Sequence, residues 1–280
     1  MSFTLAAPED FSLAASAEFA EGFPGTGTGA ASPEQLSFAW ALDGDWRTVH
    51  VVLSQHGRQI RGDIGGLPAR ELTDKARRDV SRILSLNVDS KGFSQLGRQD
   101  RVVAGLQNRF PGLRPVLFYT PYEAAAWSII GQRIQMRQAA IIKQRLADEY
   151  GEQGAFPAPA RLAELPEQQR GLTERKVDQL HQLAGAAQDG RLDRDRLRAM
   201  TYQDANDDLQ RLPGIGPFSA DLILARGMGA PDALPHSEKR LQAAARDAYG
   251  LPSDADIDGV AEGWRPYRSW VALLLRASAG

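Results

Sequence analysis

The chain contains no cysteine. That excludes disulfides, thiolate zinc sites and a cysteine-held iron–sulfur cluster. Histidine is almost as scarce: His50, His56, His181 and His236 are scattered, so a histidine-based metal site is not expected. No apolar run is long enough to span a membrane, and Met1-Ser2-Phe3-Thr4 does not open a signal peptide. The expectation is a cytoplasmic protein, nucleoid-associated if bacterial, with no membrane partner and no obligate protein partner. Charge of one sign is also lacking: 33 Lys and Arg stand against 35 Asp and Glu, for a net −2. Any binding of a polyanion must therefore use a local basic face rather than the field of the whole molecule.

What is present is an ordinary soluble composition, 42% hydrophobic and 24% charged, over 280 residues, enough for two or three compact units. Residues 1–70 read as β-rich. Leu36 to Leu42 alternates apolar and small or polar residues, and Asp43-Gly44-Asp45 signals a turn. A strand pattern resumes over Trp46 to Leu53, and a second turn at Gln55-His56-Gly57-Arg58 leads to Ile60–Ile64. Phe19 to Ala31, rich in Gly, Pro and Thr, reads as a loop. From Glu71 the period becomes helical, with Val80, Ile83, Leu84 and Leu86 on one buried face. Thr120-Pro121-Tyr122-Glu123 is a helix start: Thr120 as cap, Pro121 in the first position, Glu123 reaching back. Further helices are expected over Ala139–Tyr150, Glu174–Ala187, Leu241–Tyr249 and Ser269–Ala277, with a proline-containing linker-like excursion over residues 152–166. The fold class is α+β: a small antiparallel β-sheet domain at 1–70, then an all-helical core at 71–280.

The most informative stretch is Leu212-Pro213-Gly214-Ile215-Gly216-Pro217-Phe218-Ser219-Ala220. Asp204 to Arg211 before it and Pro217 to Arg226 after it read as helices, with Gly227 as a left-handed stop. The turn between them is expected to be too tight for side chains at Gly214 and Gly216, where glycine permits positive φ and close approach of a ligand. The amides of this turn and of the helix start at Pro217 form an anion site suited to a DNA phosphate.

Together with Arg226-Gly227 and an acid at Glu238, this stretch resembles the helix-hairpin-helix DNA glycosylase superfamily, and within it the DNA-3-methyladenine glycosylase II, or alkylation-repair, branch. Three further stretches agree with the resemblance. They are Pro121 to Trp127 with Gly131-Gln132-Arg133-Ile134, Leu172 to Lys176, and Trp264-Arg265-Pro266-Tyr267-Arg268-Ser269-Trp270. The likeness spans Val80 to Ala277, with the hairpin unit at 204–227 and the N-terminal sheet as an accessory domain.

The resemblance implies a protein that binds double-stranded DNA with alkylated bases, flips the damaged nucleotide and cleaves its N-glycosidic bond. Glu238 is the implied catalytic carboxylate. Phe218, Trp127 and Tyr122 are the implied walls of the base pocket. Gly214, Ile215, Gly216 and Ser219 are implied DNA contacts, with Arg133 as the side chain that wedges into the space left by the flipped base. Arg175 and Lys176 suit either phosphate contacts or a charged helix face; Trp264 and Trp270 suit the core. No cofactor is implied beyond a structural Na⁺ or K⁺ on the main-chain carbonyls of Gln210, Leu212 and Ile215. Bifunctional relatives carry a Schiff-base lysine where this chain has Phe218, which implies a monofunctional, hydrolytic enzyme. The family's catalytic residue is normally Asp, however, and the longer Glu238 leaves a second possibility: a non-catalytic binder of damaged or abasic DNA with a degenerate site.

Overall fold

A computed structural model describes residues 1–22, 29–32, 35–65 and 70–279. The N-terminal sheet has five antiparallel strands: β1 (Ser2–Ala6), β2 (Gly29–Ser32), β3 (Gln35–Ala41), β4 (Thr48–His56) and β5 (Gln59–Gly65), in the order β1-β5-β4-β3-β2. The alternation in the sequence sets its register. Leu36 lies opposite Leu53, Phe38 opposite Val51 and Trp40 opposite Val49, and all six are buried on one face. The expected Phe19–Ala31 loop is replaced at its start by a helix, Leu13–Gly22, and at its end by β2; residues 23–28 fall outside the described residues. The helix buries Leu13, Ala17 and Ala20 and packs on β3. Its alanine-rich face is too weakly amphipathic to stand out beside the Gly- and Pro-rich run that follows it.

The α+β division is as expected: the chain from Arg70 onward is helical. Helices run over Arg70–Ile83, Lys91–Gln99, Arg101–Arg109, Pro121–Ile130, Met136–Tyr150, Glu174–Gln188, Arg194–Ala199, Tyr202–Gln210, Lys239–Tyr249 and Arg268–Ser278, with short turns at Pro159–Leu162 and Asp258–Glu262. The helix that opens at Pro217 is α-helical only to Leu222 and continues as a π-helical segment over Ile223–Met228. Its left-handed stop is Gly229, at φ 84, not Gly227. Gly227 serves packing instead: a Cβ there would stand 2.9 Å from Ala124 Cβ and 3.0 Å from Pro121 Cα.

Three apolar clusters organise the described residues. One joins the sheet to the Arg70–Ile83 helix through Leu72, Ala76, Val80 and Ile83. A second surrounds the Pro121–Ile130 helix, all ten residues of which are buried. A third joins Phe93, Leu96 and Val103 to the C-terminal Trp264, Trp270 and Leu274.

Thr120 caps the central helix, accepting from the Glu123 amide at 3.0 Å. Glu123 does not reach back to complete a capping box. Its side chain is buried and pairs with Lys143 at 2.6 Å, because the helix start is covered and an ionised carboxylate there needs a cation. The excursion at 152–166 is not a loose linker either: Phe156, Leu162 and Leu165 enter the helical core.

The sheet is fastened to the helical body by polar contacts. Asp79 accepts from Trp40 Nε1 at 3.2 Å and from Arg194 Nη1 at 2.6 Å, while Asp43 accepts from the Arg194 amide at 3.2 Å. Trp46, in the β3–β4 turn, packs its ring edge-on against Tyr122 of the central helix at 5.4 Å. Burial lifts the Asp43 carboxyl from 3.8 to about 6, against the opposing pull of Arg194. A raised acid binds its proton more tightly in the folded chain. Its contribution is therefore present in full below the unfolded value of 3.8 and is lost as pH rises through about 6. Asp43→Asn keeps an acceptor for the Arg194 amide without the charge. It should stabilise the protein at pH 8 by on the order of 1–3 kcal/mol and match wild type near pH 4. Thermal unfolding of both proteins across that range checks this; a gap that does not change with pH would contradict it.

Candidate DNA interface and active site

The hairpin begins at the Tyr202–Gln210 helix, which Thr201 caps through the Asp204 amide at 3.1 Å. Leu212 and Ile215 turn into the helical core, and the Ile215 amide donates to the Leu212 carbonyl at 3.0 Å. This closes the turn with its outer edge exposed. Gly214 adopts φ +85, and a Cβ would meet Gln179 Cδ at 2.8 Å, so glycine is required there by the protein itself. Gly216 differs from the expectation. It adopts φ −102 and ψ −175, which any residue can take, and a Cβ would meet nothing within 4 Å. What glycine supplies at 216 is open space outside the turn.

Ser219 is buried behind the turn, and Phe218, 48% exposed, projects from the first turn of the following helix. The loop after the central helix lies alongside: Gln132 Nε2 donates to the Gly214 carbonyl at 2.6 Å, and Arg133 is exposed at φ +57. The structure thus brings Arg133, Gly214 and Gly216 into one pair of joined loops. Arg175 is exposed nearby in sequence, but Lys176 turns inward to main-chain carbonyls.

Glu238 caps the Lys239–Tyr249 helix by its backbone, and its Oε1 accepts from Arg276 Nε at 2.5 Å. Both side chains are about a quarter exposed, at 23% and 25%. Arg226, on the π-helical segment, is the other cation that Glu238 influences. Burial lowers Arg226 to about 10, and the Glu238 charge works in the opposite direction.

The loop carrying Glu238 is held by an acid that the sequence reading passed over. Asp221 is buried on the hairpin's second helix. Its Oδ1 accepts from Tyr202 Oη at 2.7 Å and Asn206 Nδ2 at 2.9 Å, and its Oδ2 from Ser237 Oγ at 2.6 Å and the Ser237 amide at 3.3 Å. Gln210 Nε2 extends the chain to Asn206 Oδ1 at 2.5 Å. The available signal was that Asp221 is the sole charged residue between Pro217 and Arg226, on an otherwise apolar face. An isolated charge in such a stretch is partnered or functional.

The three aromatic residues implied as pocket walls do not converge. Trp127 is in the helical core with its ring 6.5 Å from Phe118. Tyr122 lies between Trp46 and Phe156 and donates its hydroxyl to the Pro157 carbonyl at 3.0 Å. Phe218 is at the surface. Their spacing along two helices gave no means of telling inward from outward faces. Trp264 and Trp270 are core residues, Trp264 donating to Tyr249 Oη at 2.8 Å. Among the described residues, a depression of about 710 Å³ is lined by residues from Glu167 to Arg175, and a cleft of about 190 Å³ lies between Phe93, Phe110, Arg114 and Trp270. Neither includes Glu238.

A β-sheet domain fused to a helical body whose helix–turn–helix unit is locked to an acid-bearing loop defines the class: a helix-hairpin-helix DNA glycosylase fold. No protein-family model matches the chain. It is 30% identical over 249 residues to DNA-3-methyladenine glycosylase 2 of Escherichia coli (strain K12), which covers 79% of this chain and 83% of that protein. It is 26% identical over 208 residues to the DNA-3-methyladenine glycosylase of Bacillus subtilis (strain 168), covering 68% of this chain and 67% of that one. The solved 3-methyladenine DNA glycosylase from Archaeoglobus fulgidus superposes with a TM-score of 0.80 over 98% of this chain and 97% of that one at 20% identity, a likeness of fold. The chain belongs to the DNA-3-methyladenine glycosylase family.

The two glycines give a direct test. Gly214→Ala should destabilise the protein by about 1 kcal/mol or more, through the left-handed backbone and the Gln179 clash. Gly216→Ala should leave the melting temperature unchanged and weaken DNA binding, because only a ligand can feel its methyl group. Equal losses of stability in the two variants would contradict the assignment.

Proposed function

We propose that the protein is a monofunctional DNA repair glycosylase that flips alkylated purines of the 3-methyladenine type out of duplex DNA and hydrolyses their N-glycosidic bond. The observation that carries the reading is the Asp221 clamp. Through Ser237 it ties the Glu238 loop to the hairpin's second helix, so a phosphate grip and a carboxylate belong to one rigid unit. Preorganised charge of this kind is what cleavage of a glycosidic bond requires, because the sugar becomes cationic in the transition state. A purine alkylated on a ring nitrogen is already a cation and leaves with little acid assistance. The names of the bacterial relatives support the same substrate class.

In this mechanism the outer edge of the hairpin at Gly214, Ile215 and Gly216, with Ser219 behind it, grips a backbone phosphate, and Arg133 enters the vacated stack. Glu238 faces the sugar and orients water. Arg276 keeps its carboxylate ionised and in one rotamer until the flipped nucleotide arrives. Phe218 stands where an amine nucleophile would be needed for strand cleavage, so the products are a free base and an intact abasic site. The Gln210, Leu212 and Ile215 carbonyls offer neutral oxygens to a structural Na⁺ or K⁺, which would stiffen the turn. The Leu212 oxygen retains a lone pair beyond the one used by the Ile215 amide.

Arg276 also favours a second reading. A guanidinium on the only implied catalytic carboxylate offsets the charge the transition state needs, as in a non-catalytic binder of damaged or abasic DNA. Base release from methylated duplex DNA separates the two. Glu238→Gln should lower it by about 100-fold or more, the scale for one preorganised electrostatic group. Binding should hardly change, and Glu238→Asp should retain or raise activity. Borohydride should trap no covalent complex. Equal, slow release by wild type and Glu238→Gln, with tight binding of abasic DNA by both, would establish the binder.

A further inference from the structure

The Glu174–Gln188 helix lies beneath both loops of the proposed DNA face and touches each with one side chain. Lys176 Nζ donates to the Ile130 carbonyl at 2.7 Å and the Gln132 carbonyl at 2.8 Å. These oxygens lie at the end of the Pro121–Ile130 helix, where the last carbonyls have no partner within the helix. One turn further along, Gln179 packs against Gly214, whose Cβ position is 2.8 Å from Gln179 Cδ. Gln132 closes the frame by donating to the Gly214 carbonyl at 2.6 Å.

Arg133 follows Gln132 directly and holds a left-handed backbone at φ +57. A non-glycine residue keeps such a conformation only when its surroundings over-determine it. The surroundings here are the two carbonyls on either side of Gly131 fixed by one ammonium group, and the Gln132 side chain fixed by the hairpin.

We propose that Lys176 is a positioning residue that holds the Arg133 turn at a set height above the hairpin, so that phosphate grip and wedge insertion occur as one rigid-body event. This rests on the glycosylase reading for its main readout. Lys176 has already committed donors to protein carbonyls, so it acts on DNA through Arg133 rather than as a phosphate contact. A compact ammonium suits this task, since it can bridge two carbonyls two residues apart.

The test uses Lys176→Met, which keeps the apolar stem, with Arg133→Ala and the double variant, each first checked for fold by circular dichroism. Single-turnover base release is measured on a methylated duplex and on the same lesion placed opposite an abasic site, where no partner base has to be displaced. Lys176→Met should slow release from the paired lesion by about tenfold, the scale for a small misplacement of a working group. The loss should fall below about threefold on the unpaired lesion, and Lys176→Met should add almost nothing once Arg133 is alanine. The dependence of binding on salt should keep its slope.

A slope reduced by about one phosphate contact would make Lys176 a DNA ligand and overturn the proposal. So would equal losses on both substrates, or additive losses in the double variant. If wild type releases no base, the glycosylase reading fails on its own. The proposal is then judged by 2-aminopurine fluorescence on duplex binding, where Lys176→Met must match Arg133→Ala. If Lys176→Met does not fold, Gln132→Leu cuts the other leg of the frame and must give the same pattern.

Discussion

The central constraint on this molecule is that the Pro121–Ile130 helix has no exposed face. A helix buried all round must meet each neighbour with residues small enough for close approach or with partners for every polar group. This helix does both. Ala124 lies against Gly227, where even one more methyl would not fit. Glu123, which burial pushes upward from its ordinary value, is matched by Lys143. Tyr122 finds the Pro157 carbonyl. Everything assigned to DNA recognition hangs from the ends or flanks of this element: the Arg133 turn leaves its C-terminus, and the hairpin's second helix packs along it. The site is precise because the helix behind it has no freedom to shift.

A second layer of constraint is polar and runs through Asp221. Four donors converge on one carboxylate from three segments: the hairpin's first helix, its own helix's neighbouring loop and, through Ser237, the segment leading to Glu238. Each donor is short, and a carboxylate so surrounded keeps its charge at low desolvation cost. The two acids of the region therefore have distinct environments. Asp221 is saturated and buried, and so is structural in its immediate chemistry. Glu238 has a single cation and partial exposure, the arrangement expected of a group that must exchange its partner for a substrate.

Much of the fold was legible in the sequence because it rests on periodicity and punctuation. The β3–β4 alternation gave the sheet, Thr120-Pro121 gave the start of the central helix, and the glycine–proline pattern from Gly214 to Pro217 gave the hairpin. What escaped depends on contacts between distant segments. The Leu13–Gly22 helix has a face made mostly of alanine and takes its burial from β3. Glu123 follows the local pattern of a capping box but answers instead to Lys143, twenty residues on. Asp221 could be noticed as an isolated charge, yet its partners at 202, 206 and 237 are assembled only by folding. Of the aromatic residues singled out in advance, Trp127 and Tyr122 differ from Phe218 in orientation, and orientation on a helix buried on every side cannot be read from hydrophobic period.

The π-helical segment at Ile223–Met228 has a bearing on how this chain could change over time. A π turn holds one residue more than the α turn it interrupts. Losing a single residue there would regularise the helix, yet it would rotate all that follows by about 100° and withdraw it by about 1.5 Å. Arg226 would leave the Val116 carbonyl it now donates to at 2.6 Å, and the strand of chain leading to Ser237 would no longer reach Asp221. The segment thus acts as a spacer whose length is set by the distance between hairpin and acid. Substitutions can accumulate on either side of it, whereas insertions and deletions within it are selected against as a matter of geometry.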